Sequence, residues 1–307
     1  MTTYKRPDFL QDQLKTILQQ TFSNYQVIIS DNDVDASAKK VVEDIADSRI
    51  IYYNNGSNLG MIASFNNSLT KAVSEYVVMI TDDDPVYPEM LTDFFELYNK
   101  HPDYPVYIGA MRAGKKKGGV EVFTESDFAF EILHPGHTSR ILWSSCILKT
   151  TVAIKIGGMP DYGSPHLADH ALIILCSKYG GGIIINKIYG HLTSHKQNFS
   201  KRNLNLYQVG CEGFFKLISN SLDEKMYVKW KQNALIMHLE NWFITNSFSL
   251  RYYFTYLQKD EEAIHEINSF SAMILQLEFM RSVKMKYYFK LVKFYIKRPF
   301  YYFKSFD

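Results

Sequence analysis

"MITDDDPVYP" (79–88) sets three carboxylates, Asp82, Asp83 and Asp84, directly behind the apolar run "EYVVMI" (75–80). Adjacent negative charges repel, so lining them up stabilises no fold by itself. Pro85 and Pro88 stop any strand that leads into them. The stretch therefore reads as a strand whose carboxyl end presents hard oxygen ligands. Magnesium and manganese take such ligands, usually one or two carboxylates, with water and phosphate completing the shell. The plainer reading is an acidic turn at the start of the next helix, "PEMLTDFFELY", where the helix dipole favours negative charge.

Working outward, hydrophobic periods of helix and strand alternate over the first ~190 residues, the pattern of an α/β layered fold. Pro7 suits a first helical turn, and Leu10, Leu14, Ile17 and Leu18 recur at helical spacing. "YQVIIS" is a short buried strand that ends at Asp31; "SAKKVVEDIA" is a helix and "RIIYY" a strand. "NNGSNLG" is turn chemistry, "MIASFNNSLTKAV" a helix, and "EYVVMI" the next strand. In open parallel sheets, ligands bind outside the carboxyl ends of strands, where the acidic triplet falls. Beyond residue 200, "MYVKWKQNALIMHLENWF" and "EEAIHEINSFSAMILQL" are helical in period. The expected domains are 1–202, an α/β domain, and 203–307, a helical C-terminal region.

The chain has 307 residues, 46% of them apolar and 21% charged, which is globular composition. Cys146, Cys176 and Cys211 stand far apart, with no CxxC, which argues for a reducing compartment and against structural zinc. No apolar run is long enough to cross a bilayer and no signal-peptide pattern opens the chain, so the expectation is a cytoplasmic protein. The net charge of +2 is uneven: residues 281–307 carry about +7 and the rest about −5. In that tail Lys286, Lys290, Lys293 and Lys297 form one helical stripe; Val283, Tyr287, Leu291, Phe294 and Tyr295 form another. Such a helix suits an anionic membrane surface, or else packs on the body of the protein; nucleic acid is not the expected partner.

Four pieces in order, "TTYKRP" (2–7), "SDND" (30–33), "SNLG" (57–60) and "TDDD" (81–84), resemble the family 2 glycosyltransferases over roughly residues 1–200. The resemblance implies the Rossmann-like nucleotide-diphospho-sugar transferase (GT-A) sandwich with a mostly parallel central sheet. It implies a metal-assisted, inverting transfer of a sugar from a nucleotide donor, a UDP-sugar first among them, with Mn2+ or Mg2+ as cofactor. The acceptor would be a saccharide or a lipid-linked glycan, at the inner face of the cell membrane.

Carried over residue by residue, the resemblance puts Thr2 and Tyr4 beside the base and Asp31 on the base edge. Asp82 would reach the ribose; Asp83 and Asp84 would hold the metal, and the sequence does not rank those two. Thr81 departs from the acidic residue the family often has there. Asp169, opening the helix "ALIILC", would be the general base; its plainer role is charge at a helix start. His195, in "HKQNFS", would face the metal or diphosphate, or else belong to an ordinary polar loop. Loops such as "GAMRAGKKKGGVEVF" and "LWSSC" would read the sugar.

Two other classes compete. "DNDVD" offers the D-x-D of a phosphatase of the haloacid dehalogenase type, although no convincing Ser/Thr and Lys pair follows. A sugar-nucleotide-binding module without turnover shares the same fold. A calcium loop fails for want of glycine at its sixth position, and no GxGxxG supports a dinucleotide enzyme. The family also has a full apolar strand ahead of "TTYKRP". The expectation is that the start lies further upstream, and that expression with the upstream codons raises the soluble yield; an unchanged yield would count against it.

Overall fold

The computed structural model describes residues 1–110, 118–134, 141–221 and 229–296. The described chain divides into two compact units. The first comprises 1–132, 136–161 and 168–194; the second comprises 133–135, 162–167 and 195–307. The long run of the second unit starts at His195, and the unit also takes in 133–135 and 162–167; the hydrophobic pattern of the sequence places the boundary after residue 202. The segment up to Ser194 stays with the first unit because it hydrogen-bonds to the acidic stretch, as shown below.

The first unit opens with β1 (Thr2–Thr3), α1 (Pro7–Leu18), β2 (Val27–Asp31), α2 (Lys39–Ile45), β3 (Ile50–Asn54) and α3 (Met61–Leu69). β1, β2 and β3 form a wholly parallel sheet. Then come β4 (Tyr76–Val78), α4 (Met90–Lys100), β5 (Val106–Ala110), β6 (Val120–Phe123), α5 (Glu125–Leu133), β7 (Ile141–Lys149), α6 (Thr150–Lys155), α7 (Ala168–Ser177) and β8 (Gly182–Ile188). A second sheet has the order β4-β7-β5-β8-β6, in which only β5–β8 is parallel. The first sheet is therefore parallel throughout and the second is mixed. "LWSSC", expected in a loop, lies within β7, and residues 111–117 of the other expected sugar-reading loop lie outside the described residues.

The core follows the periods read from sequence. Leu10, Leu14 and Ile17 of α1 pack with Val27 and Ile29 of β2, Met90 and Leu97 of α4, Ile147 of β7 and Ile183 of β8. At about 25 cal/mol per Å² of apolar area, each such side chain contributes roughly 1.5–3 kcal/mol. Two features depart from ideal. The ladder of β4 stops at Val78, although Met79 and Ile80 run on buried toward the aspartates. β1 meets only the upper end of β2, pairing Thr2 with Ser30 and Thr3 with Asp31. Below it, an apolar cavity of about 260 Å³ runs between the two sheets, lined by residues that include Val27, Ile28, Val77, Val78, Met79 and Ile147.

The second unit contains α8 (Phe199–Arg202), α9 (Leu206–Ser221), α10 (Lys229–Tyr252), a π-helical turn (Tyr253–Gln258) and α11 (Glu261–Ile274). A 3-10 turn (Glu278–Val283) then leads into α12 (Lys284–Ile296). Asp260 caps α11, accepting the Ala263 N–H at 3.0 Å. Ile267, Phe270 and Ile274 face inward from that helix. Arg251 is fully buried, its guanidinium donating to the Tyr287 hydroxyl at 3.0 Å, which ties α10 to α12. No helix among the described residues is long and apolar enough to cross a membrane. Lys297, Arg298 and Lys304 of the basic tail lie outside the described residues.

The acidic stretch is clamped from the far end of the first unit. Val86 and Gly190 form an antiparallel bridge, and the Tyr87 N–H donates to the Tyr189 carbonyl at 2.7 Å. A Cβ built on Gly190 would press into the backbone carbonyl oxygen of Pro85. Gly190→Ala is accordingly expected to destabilise the protein by roughly 1–3 kcal/mol, read as a lowered denaturation midpoint. A neutral result would show that the bridge does not hold the acidic stretch.

Candidate active site

The carboxyl end of β1, with the turn that follows it, meets the aspartates beyond the end of β4. Asp82 is fully buried and accepts the Thr3 hydroxyl at 2.7 Å and one arm of the Arg6 guanidinium. The other arm of Arg6 donates to Asp83 at 3.0 Å. One cation thus bridges two adjacent carboxylates, and it comes from the residue just before Pro7, where α1 begins. Asp84 turns away. Its Oδ1 accepts the Thr193 N–H at 2.9 Å, its Oδ2 the Thr81 hydroxyl at 3.3 Å, and its carbonyl the Gln13 amide at 2.8 Å. The triplet divides by role: Asp82 is the inner anchor, Asp84 a brace, and Asp83 the member whose side chain keeps 10% exposure.

Burial governs the electrostatics. It pushes the Asp82 carboxyl up to about 6; Arg6 pulls it back down and Asp83 pushes it further up. Asp84 is likewise held near about 6 by burial, against the Thr193 N–H. Both free acids are favoured in the fold relative to an unfolded aspartate near about 3.9.

A polar network extends from this cluster along β2 and α3. The Asn55 amide donates to Asn32 at 2.8 Å and to Ser64 at 3.3 Å, and Ser30 donates to Asn55 at 3.0 Å. The Thr2 hydroxyl meets that of Ser64. Asn32 donates to the Gly60 carbonyl at 3.2 Å. Gly60 adopts φ +82 ahead of α3, a backbone conformation that glycine reaches without Cβ strain. This explains "SNLG" physically: the turn brings the start of α3 against the end of β2.

Asp31 is fully buried. Its Oδ1 accepts the Asp33 N–H at 2.9 Å, and its Oδ2 accepts the Ala38 N–H at 3.2 Å and the Tyr52 hydroxyl at 2.8 Å. Tyr4, by contrast, is 42% exposed. Asp169 stands in the first turn of α7, half-buried, and its charge reaches the buried Cys146 thiol of β7. Burial pushes all three cysteine thiols up, Cys176 to about 12, so none is poised as a nucleophile. His195 is in the second unit, where its backbone N–H donates to Asn198 at 2.7 Å.

The structure thus brings Thr3, Arg6, Asp82 and Asp83 together, and sets Thr2 in the adjoining network. Arg6 and Thr3 were missed as site residues, although both lie inside the quoted "TTYKRP". The available signal was charge: a run of three aspartates needs a cation, and Arg6 precedes the helix facing it. Among the described residues no group of three His, Cys, Asp or Glu side chains converges to hold a metal. Asp83 nevertheless offers the donor that fits a hard divalent ion, a partly exposed carboxylate, with the remaining shell left to water and phosphate.

Because the folded pKa values of Asp82 and Asp84 are raised, their contribution to stability is complete below about pH 4 and is lost as pH rises to about 6. Removing Arg6 leaves Asp82 with no counter-charge once ionised. Arg6→Ala is expected to cost roughly 3 kcal/mol at pH 8 and distinctly less at pH 5, measured by denaturant unfolding in chelator. An equal loss at both pH values would contradict the bridge.

Residues 1–144 match the model of the family described as Glycosyl transferase family 2. A curated protein named GalNAc(5)-diNAcBac-PP-undecaprenol beta-1,3-glucosyltransferase, from Campylobacter jejuni, is 30% identical over 101 residues, 32% of this chain and 33% of that protein. The chain spans between about a quarter and two fifths of the length of the curated relatives it matches. Among solved structures, S. aureus TarS 1-349 in complex with UDP-GlcNAc gives a TM-score of 0.62 at 18% identity, covering 94% of this chain and 87% of that one. The mannosyltransferase PcManGT from Pyrobaculum calidifontis, in complex with GDP-Man and Mn2+, gives 0.57 at 16%, covering 96% and 84%. These structural likenesses carry the GT-A fold and nothing finer. Over residues 1–144, just under half of its length, the chain is similar to glycosyl transferase family 2.

Proposed function

We propose that the protein transfers a sugar from a nucleoside-diphosphate donor, a UDP-sugar first among them, to a hydroxyl of a saccharide or lipid-linked glycan, with inversion. The observation that carries this reading is the Thr3–Asp82–Arg6–Asp83 cluster at strand ends, inside the region that matches the family. Support for the donor class comes from the fold shared with a protein bound to UDP-GlcNAc, and for the metal from one bound to Mn2+. Support for a lipid-linked acceptor comes from the Campylobacter relative, which is named for a PP-undecaprenol substrate.

In this reading Tyr4, exposed beside the start of α1, stacks on the base, and Thr2 borders it. Asp31, enclosed, fixes the 31–38 turn; direct contact with the base, the expectation from sequence, requires that turn to open. Asp82 orients Thr3 and Arg6 near the ribose. Asp83 is the metal contact and Asp84 its brace, since the oxygens of Asp84 are engaged by Thr193 and Thr81. A bound Mn2+ or Mg2+ supplies Lewis-acid stabilisation of the departing diphosphate. Asp169 takes the proton of the acceptor hydroxyl, a role worth about 10²–10⁴ in rate. The proposed donor site uses residues of the first unit alone; the metal contact expected of His195 is not part of it. A membrane-surface location through 281–307 would suit a lipid-linked acceptor.

A phosphatase of the dehalogenase type would need an accessible oxygen on Asp31 or Asp33, and both residues are buried. The decisive assay incubates the protein with Mn2+ and a panel of sugar nucleotides and measures nucleoside diphosphate release. Release from a UDP-sugar is expected, lowered roughly 10²–10³-fold in Asp83→Ala and about 10²–10⁴-fold in Asp169→Asn. Phosphate release from small phosphomonoesters would instead favour the phosphatase, and tight binding without turnover the inert module.

A further inference from the structure

α12 has two apolar faces. The inner one, Tyr287 and Phe294 with Val283 just before the helix, is buried within the second unit. Tyr287 is anchored there by Arg251, and its ring stacks on Phe243 at 5.2 Å. This is most of the stripe that the periodicity assigned to membrane contact, and it is already occupied. The outer face holds Met285, Phe289, Val292 and Ile296, which recur at i, i+4, i+7 and i+11 and so share one side of the helix. They are 85%, 61%, 58% and 67% exposed. Four large apolar side chains in a continuous row, about 17 Å long at 1.5 Å per residue, are more than the scattered exposure of an ordinary surface.

The flanks decide what covers this row. Lys286, Lys290 and Lys293 run along one side, and Lys284 lies on the other with Tyr288 and Tyr295. Lys286 is paired with Glu240, whereas Lys284, Lys290 and Lys293 are exposed, Lys293 with its ammonium over the Phe289 ring at 4.3 Å. A second copy docked row to row would bring these lysines against their own kind. An anionic lipid surface meets them with opposite charge, while the apolar row enters the headgroup–acyl boundary and the two tyrosines sit at its level.

We propose that α12 lies on an anionic membrane with Met285, Phe289, Val292 and Ile296 inserted and Lys284, Lys290 and Lys293 on lipid phosphates. This deepens the location suggested above and rests on the transferase reading only for its purpose. The geometry of α12 stands independently.

The test is flotation of the full chain with vesicles of phosphatidylcholine, with and without about 30% phosphatidylglycerol. Binding to the anionic vesicles is expected, and added salt should weaken it. Phe289→Glu combined with Val292→Glu should lower partitioning at least about tenfold. Lys290→Gln with Lys293→Gln should reduce binding to anionic vesicles several-fold and flatten its salt dependence. All four positions are exposed, so thermal unfolding and nucleotide-sugar turnover in solution should not change. The proposal is overturned if the wild type stays in solution, or if the glutamate pair binds as well as wild type. It is also overturned if sedimentation reveals a dimer that the glutamate pair dissociates, which would assign the row to a second copy. Wild-type protein that turns over a sugar nucleotide but does not bind the vesicles rejects the membrane proposal alone; wild-type protein that binds them without turnover rejects only the transferase.

Discussion

Two neighbouring carboxylates behind the buried Met79 and Ile80 demand a cation, and Arg6 supplies it. The cost of ionising Asp82 without solvent is large, as its upward shift to about 6 records. The guanidinium offsets that cost by reaching both Asp82 and Asp83 from the turn that starts α1. Much of the site's order follows from this contact. It sets the end of β1 against the end of β4, with the Thr3 hydroxyl adding a second tie to Asp82. The polar network on β2 and α3 joins the same region through Thr2 and Ser64.

The arrangement also suits a reaction that builds charge. A diphosphate leaving a sugar needs positive potential where the negative charge develops, and preorganised groups supply it without reorganisation. Arg6 is a preorganised positive charge there, shared between Asp82 and the partly exposed Asp83. Asp84 is tied to Thr193 and Gln13, which braces the acidic stretch.

The helices and strands from α1 to β4 were legible because each carries one clear period and a recognisable stop, whereas the two-residue β1 carries no period and was not read as a strand. α1 begins at Pro7, β2 ends at Asp31, and "SNLG" delivers a glycine at positive φ before α3. The mixed pairing of β7 was not legible, since ladder direction depends on partners distant in sequence. The division of labour among Asp82, Asp83 and Asp84 was hidden too: three identical side chains differ only in what each one meets. Arg6 was overlooked because an arginine before a helix reads as surface charge until its partners, more than 70 residues on, are known. In α12 the helical period was legible, but of the expected stripe Tyr287 and Phe294 are buried while Tyr295 is exposed; the helix is apolar on two sides, and periodicity cannot say which side a neighbour will take.

The claim that Asp83 joins a cation to a nucleoside diphosphate is tested most directly by titration calorimetry of UDP, with and without Mn2+. Wild-type protein should bind UDP at least about tenfold more tightly with Mn2+ present, a difference of about 1.4 kcal/mol, and Asp83→Asn should lose that gain. The same Mn2+ dependence in Asp83→Asn, or no dependence in the wild type, would contradict it.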